Sequence, residues 1–222
     1  MSRFAAIAGG VLLLALAGPG RVAGEPIDRR LAQRLDAPAA AAVWQVVESA
    51  RAGGIPTDPL IATALEGATK RAPAEAIVLA VRQHAAALTA SREALGEQSS
   101  PTEIEAGAGV LLSGVLADSL VRLRAMRPHG SLVIPLVVLA DLVTRQVPVN
   151  TAAGALVWAS GSGARDADLL RLRSRVEADI RHGVSPNAAT LARARGLESN
   201  GPARAQQPAL PRESAVRRRT TP

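Results

Sequence analysis

The chain has 222 residues, no cysteine, no tyrosine, one phenylalanine, two tryptophans and a formal charge of +7. That composition excludes disulfides, thiolate metal sites and a lipid-anchored cysteine, and it leaves too few aromatic faces for sugar binding or single-strand nucleic-acid stacking. Residues 25–197 hold 19 basic and 17 acidic side chains, so no broad basic face for nucleic acid is expected.

The chain opens with the layout of a secretory signal peptide. Arg3 gives a positive start, Ala5–Ala17 is an uncharged apolar run of 13 residues, and Val22-Ala23-Gly24 precedes Glu25 as a cleavage site, with Ala15-Leu16-Ala17 as a second candidate. The run is shorter than the roughly 20 residues that a membrane-spanning helix needs. Residues 1–24 are therefore expected to be removed. The protein is expected to be exported to a periplasm or the medium, with no integral span after processing. Arginine outnumbers lysine 25 to 1 and alanine is abundant, a bias that suggests a GC-rich bacterial genome.

Helical periodicity follows. Nine helices are expected, at about 38–52, 58–70, 73–95, 102–113, 117–126, 135–145, 151–159, 167–182 and 186–195. Leu60, Ile61, Ala64, Leu65 and Ala68 share one helix face. Ile77, Val81, His84 and Leu88 form a second stripe, and Leu169, Leu172, Val176 and Ile180 a third. Glu66 before Lys70 and Glu177 before Arg181 have the favourable order for surface ion pairs. Only Leu132–Ile134 looks β-like. Trp44 and Trp158, 114 positions apart, are expected as core or half-buried anchors.

The turns share a frame: Gly, a β-branched residue, two variable positions, then Asp or Asn. It fits Gly54-Ile55-Pro56-Thr57-Asp58, Gly114-Val115-Leu116-Ala117-Asp118 and Gly183-Val184-Ser185-Pro186-Asn187. Gln146-Val147-Pro148-Val149-Asn150 fits it with Gln in place of Gly. Each copy is read as a tight αα-turn: left-handed glycine closes one helix, the β-branched residue packs back on it, and Asp or Asn caps the next helix. The first and third copies align without gaps, Pro56 on Pro148 and Ile77 on Leu169, which suggests degenerate αα-repeats. Gly161-Ser162-Gly163 is read as a flexible connection. Residues 198–222, rich in Pro, Gln, Arg and Thr, are expected to form a disordered basic tail.

Chemistry is sparse. His84 lies on an apolar stripe, His129 in Pro128-His129-Gly130 and His182 at a helix end. None stands at metal-ligand spacing from another ligand, so no metal site is expected. Glu103 and Glu105 fall on opposite sides of a helix, and Asp166 and Asp168 near a helix start. Asp141 lies inside the apolar segment Leu132–Val143, with Arg145 four residues on as its expected partner. There is no nucleophile elbow, phosphate-binding loop or dinucleotide fingerprint.

Ala64-Leu65-Glu66-Gly67-Ala68-Thr69-Lys70, then Pro73-Ala74-Glu75-Ala76-Ile77 and Val81-Arg82, resemble exported bacterial α-helical proteins of unknown function, loosely over residues 45–195. That resemblance implies a fold, with no activity attached. The expected architecture is all-α: antiparallel helix pairs forming one domain over residues 25–197, either a bundle or a short α-solenoid-like stack. The expected function is a non-enzymatic interaction or structural module of the cell envelope. It would have a protein or peptide partner, no nucleic acid, no catalytic residues and no cofactor. The alternative is a small-molecule-binding or catalytic protein with a polar cavity around His84 and Asp141.

Overall fold

The computed structural model describes residues 28–198, so the expected signal peptide at 1–24 and, past its first residue, the expected tail at 198–222 lie outside the described residues. Ten α-helices fill this stretch: α1 (Arg29–Ala32), α2 (Ala37–Ala52), α3 (Asp58–Thr69), α4 (Ala74–Leu95), α5 (Pro101–Leu112), α6 (Ala117–Met126), α7 (Val133–Thr144), α8 (Val149–Gly161), α9 (Asp166–Arg181) and α10 (Pro186–Glu198). Nine match the expected helices within a few residues. The tenth, α1, is one turn, too short to show a period, held by the Asp28 carboxylate accepting the Arg30 N–H at 2.8 Å. Leu132–Ile134 is helical at its core: Leu132 caps α7, and the next two residues begin it. Among the described residues no helix is long and apolar enough to cross a membrane.

The helices stack in two layers. In one layer α2 packs on α4, α4 on α6, α6 on α8 and α8 on α10. In the other, α1 meets α3, and α5, α7 and α9 follow one another. The layers are joined by α3 against α4, α4 against α5, α7 against α8 and α9 against α10. Every extensive contact joins helices one or two apart in chain order, so the structure is an open stack.

The turns explain why the stack repeats its geometry. At Gly54, Arg71, Gly114, Gln146, Gly163 and Gly183 the backbone is left-handed, with φ from 57° to 92°. At each, that residue's N–H returns to the carbonyl three residues back. The next N–H returns to the carbonyl five back, with all distances between 2.9 and 3.4 Å. This double bond satisfies the last carbonyls of the helix. The turns α3–α4, α5–α6, α7–α8 and α9–α10 are all of this kind, whereas the α1–α2 link has no left-handed residue. Arg71 and Gln146 adopt the conformation without glycine, at a cost of about 1 kcal/mol each.

Three sequence expectations are corrected. Asp58, Asp118 and Asn150 do not cap: they sit one or two residues inside α3, α6 and α8, whose N-cap residues Thr57, Leu116 and Pro148 make no side-chain cap bond. The closing turn uses up the intervening residues, so all three land in the first helical turn, where the charged Asp58 and Asp118 meet the helix dipole. Gly161-Ser162-Gly163 is no loose link, because Gly161 ends α8 and Gly163 makes the closing turn. The gapless alignment of the first and third turn frames sets α3 on α8 and α4 on α9, helices of opposite layers, so it does not follow the order of the stack.

The core falls into two clusters. Leu31, Val43, Val47, Leu60, Ile61, Ile77, Val81 and Leu88 lead the first, with Ile104 and Ala108 from α5. Leu120, Leu123, Leu132, Leu136, Leu139, Leu142, Leu156, Leu169 and Leu172 lead the second, with Leu95 from the end of α4 and Val110 from α5. Leu111 packs on both. At the α4–α5 contact a Cβ on Gly107 would lie 2.2 Å from Ser91 Oγ, so only glycine permits this approach. Each tryptophan is half-buried, as expected: Trp44 packs on the first cluster and Trp158 on the second.

Candidate functional site

A cleft of about 750 Å³ runs between α2 and α4. Its floor is small: Ala42, Ala50, Ala85 and Ala86, with Val46 and Ile55. Gln45, Ser49, Arg82, Thr89, Glu93 and Glu97 rim it with both signs of charge. Helical spacing builds each wall. Ala42, Gln45, Val46 and Ser49 share one face of α2, and Arg82, Ala85, Ala86, Thr89 and Glu93 one face of α4. Arg92 closes one end, its guanidinium donating to the Gly53 carbonyl at the end of α2, where a cation suits the helix dipole. Small floor residues let another backbone come close.

A second cleft, of about 490 Å³, continues past Gly96 and Glu97 to the ends of α4 and α6 and includes Glu103, Arg124 and His129. A buried charge network lies here. Glu103, 6% exposed, accepts the Leu132 N–H at 2.8 Å and Arg124 Nη2 at 2.9 Å through Oε1. Through Oε2 it accepts the Ser100 N–H at 2.9 Å and the Ser100 hydroxyl at 3.1 Å. Arg124 also donates to the carbonyls of Leu95, Arg127 and Gly130 at 3.0–3.3 Å. Burial pushes the Glu103 carboxyl up, but the hydrogen bonds from Ser100, Leu132 and Arg124 together outweigh it and hold it below the ordinary carboxylate value. The carboxylate is saturated, so it ties α4, α5, α6 and α7 together and offers no lone pair for acid–base work. Spacing from Glu105 hid this role. The signal that would have found it is Ser100-Pro101-Thr102-Glu103, a capping-box sequence that the structure realises.

His84 and Asp141 are held by different neighbours. His84 Nδ1 lies 2.8 Å from Thr63 Oγ1, on the α3–α4 contact. The Thr63 hydroxyl donates to the Pro59 carbonyl at 2.9 Å, so its one hydrogen is used and Nδ1–H is the donor to Thr63. Burial lowers the His84 pKa, and the Glu105 carboxylate opposes this. Asp141 pairs with Arg145 at 3.1 Å, as expected, and with Arg173 of α9 at 3.6 Å. Arg145 reaches Glu177 at 3.4 Å; Glu177 thus pairs across the α7–α9 contact, whereas Arg181 was expected. Glu66 and Lys70 pair as expected, at 2.6 Å.

His129 is exposed in its turn, and His182 Nδ1 donates to the Ala178 carbonyl at 2.7 Å. Asp166 meets Arg127 at 2.5 Å, and Asp168 accepts the Arg165 N–H at 3.0 Å. Among the described residues no three His, Asp or Glu side chains gather where they could hold one metal ion. No family model, no curated protein and no solved structure matches this chain.

Proposed function

We propose that the protein is an exported, non-enzymatic interaction module of the bacterial cell envelope, and that the α2–α4 groove receives a helix of a partner protein. The observation that carries this reading is the groove itself: a floor of alanines between two helices, rimmed by Arg82 on one side of its charge pattern and Glu93 and Glu97 on the other. A partner helix with a stripe of small apolar side chains would lie on that floor, and its flanking charges would meet the rim. Export rests on the layout of residues 1–24, and the reading of α3–α10 as four degenerate αα units rests on their shared closing turn.

A photo-crosslinking residue at Ala86, in the groove, tests the reading against one at Ala125, exposed on α6. In a strain expressing the protein at native level, Ala86 is expected to capture one species of defined mass from the envelope fraction, and Ala125 none. Ala86→Arg is expected to abolish binding of that species to the otherwise intact protein. Equal capture at both positions, or none at Ala86 in envelope, periplasm and medium, would remove the groove. Intact mass of the same fractions reads export: a species starting near Glu25 supports it, and a full-length cytoplasmic species overturns it.

A further inference from the structure

At the far end of the stack, α9 and α10 enclose a cleft of about 360 Å³ lined by Arg165, Arg171, Arg175 and Arg193 against a single carboxylate, Asp168. We propose that this cleft binds a phosphate group. Helical spacing sets Arg171 and Arg175 on one face of α9, Arg165 stands just ahead of that helix, and α10 supplies Arg193 from the other side.

The internal acids do not balance these charges. Arg193 is neutralised outside the cleft by Asp179, through two bonds of 2.7 Å. Asp168 is shared, accepting from Arg171 while lying 3.6 Å from Arg165. Arg175 has no hydrogen bond or ion pair among the described residues and is exposed. Like charges four apart on a helix repel and cost stability, and a bound anion would remove that cost. The α9 N-terminus is not the attraction, because Asp166 and Asp168 already occupy its first turn.

The chemistry favours phosphate over carboxylate. The side chains of Arg165, Arg171 and Arg175 border one small space, a donor set suited to a tetrahedral group with three or more charged acceptor oxygens. A lone carboxylate fills only one fork. Leu172 and Leu197 add an apolar floor for whatever carries the phosphate. A free phosphate and a lipid headgroup share this chemistry.

Titration calorimetry of the full chain with inorganic pyrophosphate, against sodium chloride at equal ionic strength, tests the free form. Co-sedimentation with vesicles containing phosphatidic acid, against phosphatidylcholine alone, tests the lipid form. Saturable binding in either arm is expected, and the arm that responds names the source. Arg171→Gln combined with Arg175→Gln is expected to weaken it by about tenfold or more. The charge-matched pair Arg34→Gln and Arg122→Gln, exposed elsewhere, is expected to leave it unchanged. Circular dichroism confirms that each variant is folded. The proposal falls if neither arm binds, if both double variants weaken binding equally, or if a glutamate peptide binds more tightly than pyrophosphate.

Discussion

The first core cluster, built by α1–α5, and the second, built largely by α5–α10, are held together differently. Leucine makes up three of the fourteen buried residues of the first and ten of the twenty-one of the second. The first relies on Ile, Val and Ala, whose side chains have few rotamers and fit one arrangement. The second relies on leucine, which adapts more readily, and it adds polar ties between helices: Glu103–Arg124, Arg127–Asp166, Asp141–Arg173, Arg145–Glu177 and Asp179–Arg193. Among the described residues, Thr63–His84 and Arg92 to the Gly53 carbonyl tie helices of the first cluster. Shape thus fixes register in the first region, and charge fixes it in the second. The α2–α4 groove, the proposed seat of a partner helix, lies in the first region.

Each region has its own tryptophan, so the contrast can be read separately. Trp44→Phe leaves a reporter in the second cluster and Trp158→Phe leaves one in the first. The largest effect is expected from Glu103→Ala in these backgrounds. It leaves Arg124 without its carboxylate and the buried Leu132 N–H without an acceptor. Breaking a buried pair from one side costs about 3–5 kcal/mol. In urea unfolding the Trp158 transition is expected to lose most of that, and the Trp44 transition much less. Equal losses at both tryptophans would mean that the stack unfolds as one unit and that the contrast has no energetic meaning.

How much of this was readable depended on range. Local features were legible: the stripes of Leu60, Ile77 and Leu169, the Glu66–Lys70 pair and the Asp141–Arg145 pair are all set by a period of 3.6 residues. Of the four odd-to-even turns from α3 onward, three, at Gly114, Gln146 and Gly183, carried the Gly or β-branched signal. The fourth did not, because Arg71 takes the left-handed conformation with no residue to advertise it, and Ala72 follows where a β-branched residue was sought. Gly54 took its place in the pattern although its turn runs from an even helix to an odd one. Layer order is a long-range property, and turn sequence does not encode it. The clefts were missed for the same reason, since α9 and α10 bring Arg175 and Arg193 together from 18 positions apart.

A smaller effect separates the regions by pH. The folded pKa of His84 lies below its ordinary 6.5, so the unfolded chain takes the proton first. Stability from this group is full above pH 6.5 and falls as the pH drops through that value. The folded pKa of Glu103 lies below its ordinary 4.5, so its contribution is full above 4.5 and is lost as the pH falls from there through the folded value. Urea midpoints measured from pH 8 downward should therefore fall first at Trp44 and later at Trp158. His84→Gln is expected to abolish the early fall and leave the later one. An early fall that survives in His84→Gln would assign it to another group.

The smallest effect makes the sharpest comparison, because one chemical change is expected to have opposite signs in the two regions. Gly154, on the outer face of α8, has nothing within 4 Å of where a Cβ would sit. Gly154→Ala therefore gains helix propensity with no steric cost, about 0.5–1 kcal/mol. Gly67 in α3 would place its Cβ 2.8 Å from Ile77 Cγ1. Ile77 is 4% exposed and stiff at χ1, so it has little room to yield, and overpacking of this kind costs about 1–3 kcal/mol. Gly67→Ala should lower the melting temperature by about 2–4 °C per kcal/mol lost, while Gly154→Ala raises it on the same scale. If Gly67→Ala also raises it, Ile77 moves aside easily. The first cluster would then be as adaptable as the leucine-rich one, and its polar ties would be all that distinguishes it.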